Sequence, residues 1–392
     1  MTAFYNKPNE LSNNLFIKKM SEKLISNDEI PADLYTEYNV KRGLRNANGT
    51  GVLVGLTKIS HVEGYKVNEN KEKIAVPGKL YYRGYNVEDI VNSFIEEKRF
   101  GFEEITYLLL FGELPNKKQL EDFQHLLGER RELPRGFAWD MILVAPSSSL
   151  MNKLARSVLA LYSYDDNPDD TSIENVLRQS IELIGYFPSL IAYAYQAKRS
   201  FYDNESLHLH YPIPELGTAE NILRMIRPTG EFTQLEAHLL DLSLILHAEH
   251  GGGNNSSFTT HLISSSGTDT YSTIAAAVGS LKGPRHGGAN IKVINMLEDL
   301  KANVKDPGNE KQLEEYFRKV LKGEANDGSG LIYGLGHAIY TLSDPRAVLL
   351  KGMAKKLAEY KGREADFALC EYIENKVPDI YREMTGEDKP MP

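Results

Sequence analysis

Along most of the chain apolar positions recur every three or four residues, the period of a helix with one buried face. Over 233–250, Leu235, Leu239, Leu242 and Leu246 keep that spacing and predict a helix. Similar patterns predict helices over 102–115, 117–131, 146–164, 171–197, 218–226, 271–282, 289–304, 311–322, 347–360 and 364–376. The 171–197 helix contains Pro188, which is expected to break or kink it. Residues 1–40 are polar, with Leu11, Leu15, Ile17 and Leu24 scattered through them, and read as a frayed or partner-bound helical arm. Two short apolar runs, 52–56 and 79–84, read as strands, with a polar hairpin-like insert at 68–73. They are nearly the only β signals, so the fold class is mainly α with a short β hairpin near the N-terminus. The acidic run Asp165-Asp166-Asn167-Pro168-Asp169-Asp170 lacks the spacing of a calcium loop and reads as a solvated turn.

Glycines mark the places where this pattern stops. The 233–250 helix runs into Gly251-Gly252-Gly253, a strong stop signal. His247 and His250, three apart, then share one face at a helix C-terminus. The dipole there favours imidazolium at both, and a cationic histidine suits an anionic ligand. His286 lies between Gly283-Pro284 and Gly287-Gly288, just before a helix expected to start at Ala289. Positive charge is disfavoured at that end, so His286 is expected to be neutral and to donate a hydrogen bond. A cationic and a neutral histidine in one cleft suit carbonyl chemistry on an anionic substrate. A third loop, Gly334-Leu335-Gly336-His337, resembles neither a Walker loop nor a dinucleotide fingerprint. Its backbone amides can contact a nucleotide or a carbonyl. Arg346, after Pro345, is suited to bidentate capture of a carboxylate; the alternative is a helix-start arginine in a surface ion pair.

Length and charge narrow the partners. At 392 residues, two domains are the expectation. A net charge of -9 argues against nucleic acid and requires a local basic site for any anionic substrate. Cys370 is the only cysteine, which rules out an internal disulfide and fits a reducing compartment. Residues 1–30 resemble neither a secretory signal nor a transit peptide, and no apolar run reaches membrane-spanning length, so a cytoplasmic location is expected.

Three blocks carry a resemblance. Leu246-His247-Ala248-Glu249-His250, Gly283-Pro284-Arg285-His286-Gly287-Gly288-Ala289-Asn290, and Gly334-Leu335-Gly336-His337 with Asp344-Pro345-Arg346 resemble the signature blocks of the citrate synthase family in order and spacing. Tyr82-Arg83-Gly84-Tyr85 and 102–115 are similar to the family's N-terminal region, so the resemblance covers roughly residues 40 to 380. It implies an almost wholly helical fold with a large domain and a small domain around a cleft, usually in a homodimer. The corresponding divisions here are an arm at 1–40, a large domain at 41–286 and a small domain at 287–392. The implied reaction condenses oxaloacetate with acetyl-CoA to citrate and CoA, with no metal and no resident cofactor. By matching motif, His250 binds oxaloacetate and Arg346 holds one of its carboxylates. His286 donates to the acetyl carbonyl oxygen, and His337 hydrogen-bonds and protonates the oxaloacetate carbonyl oxygen. The loop with Gly334, Leu335, Gly336 and Ala338 contacts the CoA adenine through its backbone.

The reaction also requires a carboxylate to take a proton from the thioester methyl. In the family this is an aspartate in an Asn-Val-Asp block, followed by arginines that bind oxaloacetate, one of them from the partner subunit. No such block is found. Asp379 and Asp388 follow Pro378 in other settings, and the sequence as given stops at Pro392, where the block is expected. The expectation is a chain lacking the base, a substrate arginine and the helix that returns to the large domain, with little or no turnover. Three other readings stand beside this one. The first is 2-methylcitrate synthase, which takes propionyl-CoA and shares the motif residues. The second is a non-catalytic remnant that binds without turnover. The third is a metal-dependent hydrolase using His247, Glu249, His250 and His286, although the spacing is not His-Glu-x-x-His.

Overall fold

The structure, a computed structural model, describes residues 10–27, 31–41, 43–46, 50–54, 56–70, 72–284, 286–337 and 339–387. The chain divides into two units, 1–55 and 56–392. In the first, α1 (Glu10–Asn27) and α2 (Ala32–Glu37) are helical, and Ile17 and Leu24 of α1 are exposed.

The second unit opens with a three-stranded antiparallel sheet in sequence order: β1 (Ser60–Val67), β2 (Lys73–Tyr82) and β3 (Tyr85–Asn86). The β1–β2 register runs from Ser60 opposite Tyr82 to Val67 opposite Lys73, with an irregularity between Glu63 and Tyr65. The polar insert is the hairpin tip, where the Asn68 amide donates to the Glu72 carbonyl at 3.0 Å. The strand expected at 52–56 is not one. Leu53 and Leu56 are 87% and 95% exposed, so no sheet face buries them. The first strand lies later, and its buried positions are Ser60 and Gly64, which carry no apolar signal.

Helices follow. They are α3 (Val87–Glu97), α4 (Phe102–Phe111), α5 (Lys117–Glu129), α6 (Leu150–Leu161) and α7 (Ile173–Tyr202). Then come α8 (Thr218–Ile226), α9 (Gln234–His247), α10 (Asn255–Ser264), α11 (Thr270–Leu281) and α12 (Ala289–Asn303). The series closes with α13 (Glu310–Leu321), α14 (Pro345–Lys361) and α15 (Glu364–Thr385). Polar caps set many of the starts. Asn116 and Gln119 form a reciprocal capping box at α5, and Thr233 and Glu236 do so at α9. Gly112 ends α4 at φ 88°, a conformation that favours glycine.

Two prolines fail to stop their helices. Helix α7 runs unbroken through Pro188, where a break or kink is expected, and α15 runs through Pro378, past the end expected at residue 376. Each proline is flanked by buried side chains, Leu183, Leu190 and Ala192 in α7, Ile373, Val377 and Ile380 in α15. Their packing offsets the one lost backbone bond. The acidic turn at 165–170 is also not merely solvated. Asp165 accepts from Arg178 Nη2 at 2.8 Å, Gln179 Nε2 at 2.9 Å and Tyr271 Oη at 2.7 Å. Burial alone would raise its pKa, but these bonds outweigh it and bring the group down to about 2.

Three apolar clusters fill the interior. One joins α6, α7 and α11 through Val158, Leu161, Leu190 and Tyr271. A second joins α12, α13 and α15 through Met296, Phe317, Leu369 and Val377. The third joins β2, α3, α4 and α9 through Leu80, Tyr82, Val91, Ile105 and Leu246, with Leu349 and Met353 of α14 against it. This third cluster brings the end of α9 and the start of α14 to the sheet.

The sheet meets residues 339–345 at very short range. A Cβ on Gly64 would stand 2.3 Å from the Ile339 carbonyl oxygen, and one on Gly78 would stand 2.2 Å from the Ser343 carbonyl oxygen. Thr341 Oγ1 donates to the Gly64 carbonyl at 2.6 Å. Backbone cannot yield as a flexible side chain can, so Gly64→Ala is expected to cost about 1–3 kcal/mol of folding stability. Urea denaturation of the variant against the unaltered chain checks this, and an unchanged midpoint would refute the close contact.

Candidate active site

Helix α9 ends at His247, and His250 lies beyond it in the turn closed by Gly251, whose φ is 88°. The helix was expected to reach His250, and the three-residue spacing then to put both histidines on one face. Instead they separate. His247 is exposed, and its Nδ1 lies 2.6 Å from the Ser243 carbonyl of its own helix. His250 turns inward because the preceding residue and the sheet hold the turn. Glu249 Oε1 accepts from the His250 amide (3.0 Å), the Gly251 amide (2.7 Å) and Ser60 Oγ of β1 (3.0 Å). The buried Tyr82 of β2 offers its hydroxyl to the carbonyls of Ile245 (2.9 Å), which also accepts from the Ala248 amide, and Glu249 (3.1 Å), in the turn after α9.

His337 comes from the glycine loop before α14. The backbone N–H groups of Ile339 and Tyr340 both donate to its Nδ1, each at 3.1 Å. A ring nitrogen that accepts two hydrogen bonds carries no proton, so the proton of neutral His337 sits on Nε2. Arg346 Nη2 stands 3.4 Å from that Nε2. Both are donors, so they do not bond each other but can share one acceptor oxygen. Arg346 also forks onto Asp344, with Nε 3.0 Å from Oδ1 and Nη2 2.6 Å from Oδ2. This ion pair is intermediate in burial, and it aims the guanidinium at the histidines rather than at open surface.

Tyr340 fills the centre of the group. It is 1% exposed. Its ring stacks on His337 with centroids 4.8 Å apart and meets His250 edge-on at 5.4 Å. Its hydroxyl is 3.3 Å from His250 Nε2, and the Arg346 guanidinium carbon is 5.5 Å from its ring centre. The His250 and His337 rings are themselves 5.2 Å apart and nearly perpendicular.

The electrostatics correct one expectation. His250 was expected to be cationic at a helix end. It is held well below its ordinary range, at about 3, first by burial and then by Arg346 and His337, with Asp344 opposing and His286 adding to the depression. Having left the helix, His250 takes its charge state from its neighbours rather than from the dipole. His337 is lowered by burial and Arg346, and His286 by burial. His286 stands two residues before Gly288, the N-cap of α12, and its amide donates to the Gly283 carbonyl at 3.0 Å.

The loop residues Gly334 and Gly336 take φ of 92° and 87°, which open the loop backbone, while Leu335 packs into the α12–α13–α15 cluster and anchors it. Ala338 lies outside the described residues. So does Asp388, whereas Asp379 is on α15, exposed and paired with Arg382 at 3.3 Å. The carboxylates bonded into the histidine cluster are Glu249 and Asp344, both engaged as above. The set His247, Glu249, His250 and His286 does not gather, and among the described residues no three His, Cys, Asp or Glu side chains stand where they could share a metal ion. Tyr82 belongs to a block that carries the resemblance, but the sequence assigns it no role, and Tyr340 has no sequence signal; only the fold turns the two hydroxyls toward the site.

Comparison with known proteins places the chain and its fold. Residues 46–392 match the family model described as citrate synthase, C-terminal domain. The chain is 32% identical over 343 residues to a citrate synthase of Haloferax volcanii, covering 85% of this chain and 79% of that protein. The crystal structure of a citrate synthase from Pyrobaculum aerophilum superposes with a TM-score of 0.67 at 28% identity, covering 86% of this chain and 79% of that one. A citrate synthase from Thermoplasma acidophilum, solved as a ternary complex with carboxymethyl coenzyme A and oxaloacetate, superposes with a TM-score of 0.66 at 23% identity, covering 86% of this chain and 78% of that one.

A neutral His250 gives stability a defined pH dependence. The unfolded imidazole takes a proton below about pH 6.5, whereas the folded one does not until about 3. Stability from this group is therefore complete above pH 6.5 and is lost as pH falls toward 3. Between pH 8 and 5 the unaltered chain is expected to lose about 2 kcal/mol more than His250→Gln, measured by urea denaturation at both pH values. Equal losses would mean that His250 is charged when folded.

Proposed function

The chain belongs to the citrate synthase family of acyltransferases, and from that premise we propose that it joins the methyl carbon of acetyl-CoA to the carbonyl carbon of oxaloacetate. The observation that carries this reading is the pair of donors 3.4 Å apart, His337 Nε2–H and Arg346 Nη2. Both suit a substrate whose carbonyl oxygen and carboxylate lie side by side. Oxaloacetate has that arrangement, and it is one of the two ligands named for the Thermoplasma acidophilum structure.

In this reading the keto oxygen of oxaloacetate sits on His337 Nε2–H, and the adjacent carboxylate on the Arg346 guanidinium with His250 beside it. His286, neutral and next to the start of α12, donates to the thioester carbonyl oxygen and stabilises the enolate that forms there. The enolate carbon attacks the keto carbon, and the new alkoxide takes the proton from His337 Nε2. Water then cleaves the thioester, releasing citrate and the CoA thiol. The glycines at 334 and 336 let backbone approach the CoA adenine. The expected homodimer is supported by membership of the family.

The step that starts the reaction requires a free carboxylate at the thioester methyl. Glu249 and Asp344 are committed to the turn and to Arg346. We therefore read the described residues as the binding and carbonyl-polarising half of the site. A polypeptide of these 392 residues is expected to bind oxaloacetate yet release thiol about 10²–10⁴ times more slowly than a family enzyme with its base in place.

Calorimetric titration with oxaloacetate and a thiol-release assay, run on one preparation of verified mass, test this. Arg346→Leu is expected to weaken oxaloacetate binding by about 10- to 100-fold. Absence of oxaloacetate binding by the unaltered chain would refute the reading, and thiol release at the rate of a family enzyme with its base in place would show that a carboxylate of these residues serves as the base. Propionyl-CoA in the same assay separates citrate from 2-methylcitrate formation.

A further inference from the structure

We propose that Tyr340 is a positioning residue that fixes the tautomer of His250, leaving the proton on Nδ1 and making the anion-facing surface of the cluster one of donors alone. The inference rests on the oxaloacetate reading of the site for its purpose, but not for its geometry.

Three observations converge on this side chain. It is buried, and its hydroxyl has His250 Nε2 at 3.3 Å as its hydrogen-bond partner among the described residues. A buried hydroxyl must place its proton on an acceptor, and Nε2 is the acceptor within reach. Burial also raises the phenol far above its ordinary value, so the proton stays on oxygen across the working range of pH. A neutral His250 that accepts at Nε2 has its own proton on Nδ1.

The same residue settles His337 by a different route. Its backbone N–H, with that of Ile339, occupies Nδ1 and leaves Nε2–H. One tyrosine thus sets both histidines, by its backbone for one ring and its hydroxyl for the other. The donors this leaves in the cluster are His250 Nδ1–H, His337 Nε2–H and the Arg346 guanidinium beyond its Asp344 fork, and in the oxaloacetate reading they face the ligand. A small dicarboxylate with a keto group offers acceptors alone and matches that surface. Had the His250 tautomer been the other one, a lone pair would face a ligand oxygen.

The position of the tyrosine is held from behind by the sheet. A Cβ on Gly78 would stand 2.6 Å from Tyr340 Cδ1, and one on Gly64 would stand 2.9 Å from Tyr340 Cα. The ring therefore has little room to swing its hydroxyl away from His250.

Nitrogen-15 NMR of the histidine rings tests this without substrate, because a protonated and a bare ring nitrogen give distinct signals. In the unaltered chain His250 is expected as Nδ1–H and His337 as Nε2–H. Tyr340→Phe keeps the ring stack and loses the hydroxyl. His250 is then expected to move toward Nε2–H or a mixture, with His337 unchanged and oxaloacetate affinity about 5- to 30-fold weaker. A CoA ligand is expected to bind as before, a split that general loss of structure would not produce. His250 found as Nε2–H in the unaltered chain overturns the proposal, whether or not the variant folds. So does a His250 that stays Nδ1–H in Tyr340→Phe. Failure of the unaltered chain to bind oxaloacetate, with the tautomers as stated, would count against the functional reading and not against the role of Tyr340.

Discussion

The site depends on the seating of residues 339–345 against the β1–β2 hairpin. Glycines at 64 and 78 remove the side chains that would hold the two backbones apart. That contact brings Tyr340 between two histidines, and Thr341 Oγ1 ties the segment to the Gly64 carbonyl. On the same sheet, Ser60 and Tyr82 hold the turn at the end of α9. The sheet is small, yet it is the common support on which His250 and His337 meet. Its register therefore matters more to the chemistry than its contribution to the core, since a one-residue slip would reverse every inward side chain.

Support of this kind explains why neutral groups can be kept so close together. Three depressed imidazoles and an arginine would repel one another if all were charged. Burial removes the charge from the histidines, and Asp344 offsets that of Arg346. Asp344 illustrates the balance. Burial would raise it, but the Arg346 fork outweighs burial and holds it below the usual carboxylate range. The cluster is thus assembled from groups that do not strain the fold, and its donors are fixed before a ligand arrives.

Much of this was legible in the sequence, for identifiable reasons. Polar caps and glycine stops mark helices sharply, and α8 was placed at its observed bounds. The loops with His250, His286 and His337 stood out because glycine interrupts strong helical patterns. What escaped had no local signal. Strand β1 buries a serine and a glycine, so alternation does not reveal it. Helix α10 is written in Asn, Ser and Thr, residues that read as a turn until Asn254 is seen to cap it. Pro188 reads as a break or kink, and the last helix as ending at 376, because the packing that carries the helices onward is tertiary. The charge of His250 was misread for a related reason. A dipole argument holds for a residue within the last turn, and His250 lies beyond it, beside an arginine ninety-six positions away in sequence.

That arginine also sets how an anion can be held. Among the described residues Arg346 is the cation bonded into the cluster, and Asp344 already neutralises it. From the described residues alone a dianion meets little net positive charge, within a chain of net charge -9. Long-range attraction is therefore a weak contributor, and the holding force comes from short, directed hydrogen bonds in a partly dry setting. Such bonds depend on which ring nitrogen carries the proton far more than a diffuse field does. A site built on charge could tolerate either tautomer of His250. One built on neutral donors cannot, and this gives a buried tyrosine hydroxyl, with no charge and no contact to the reacting atoms, leverage over binding.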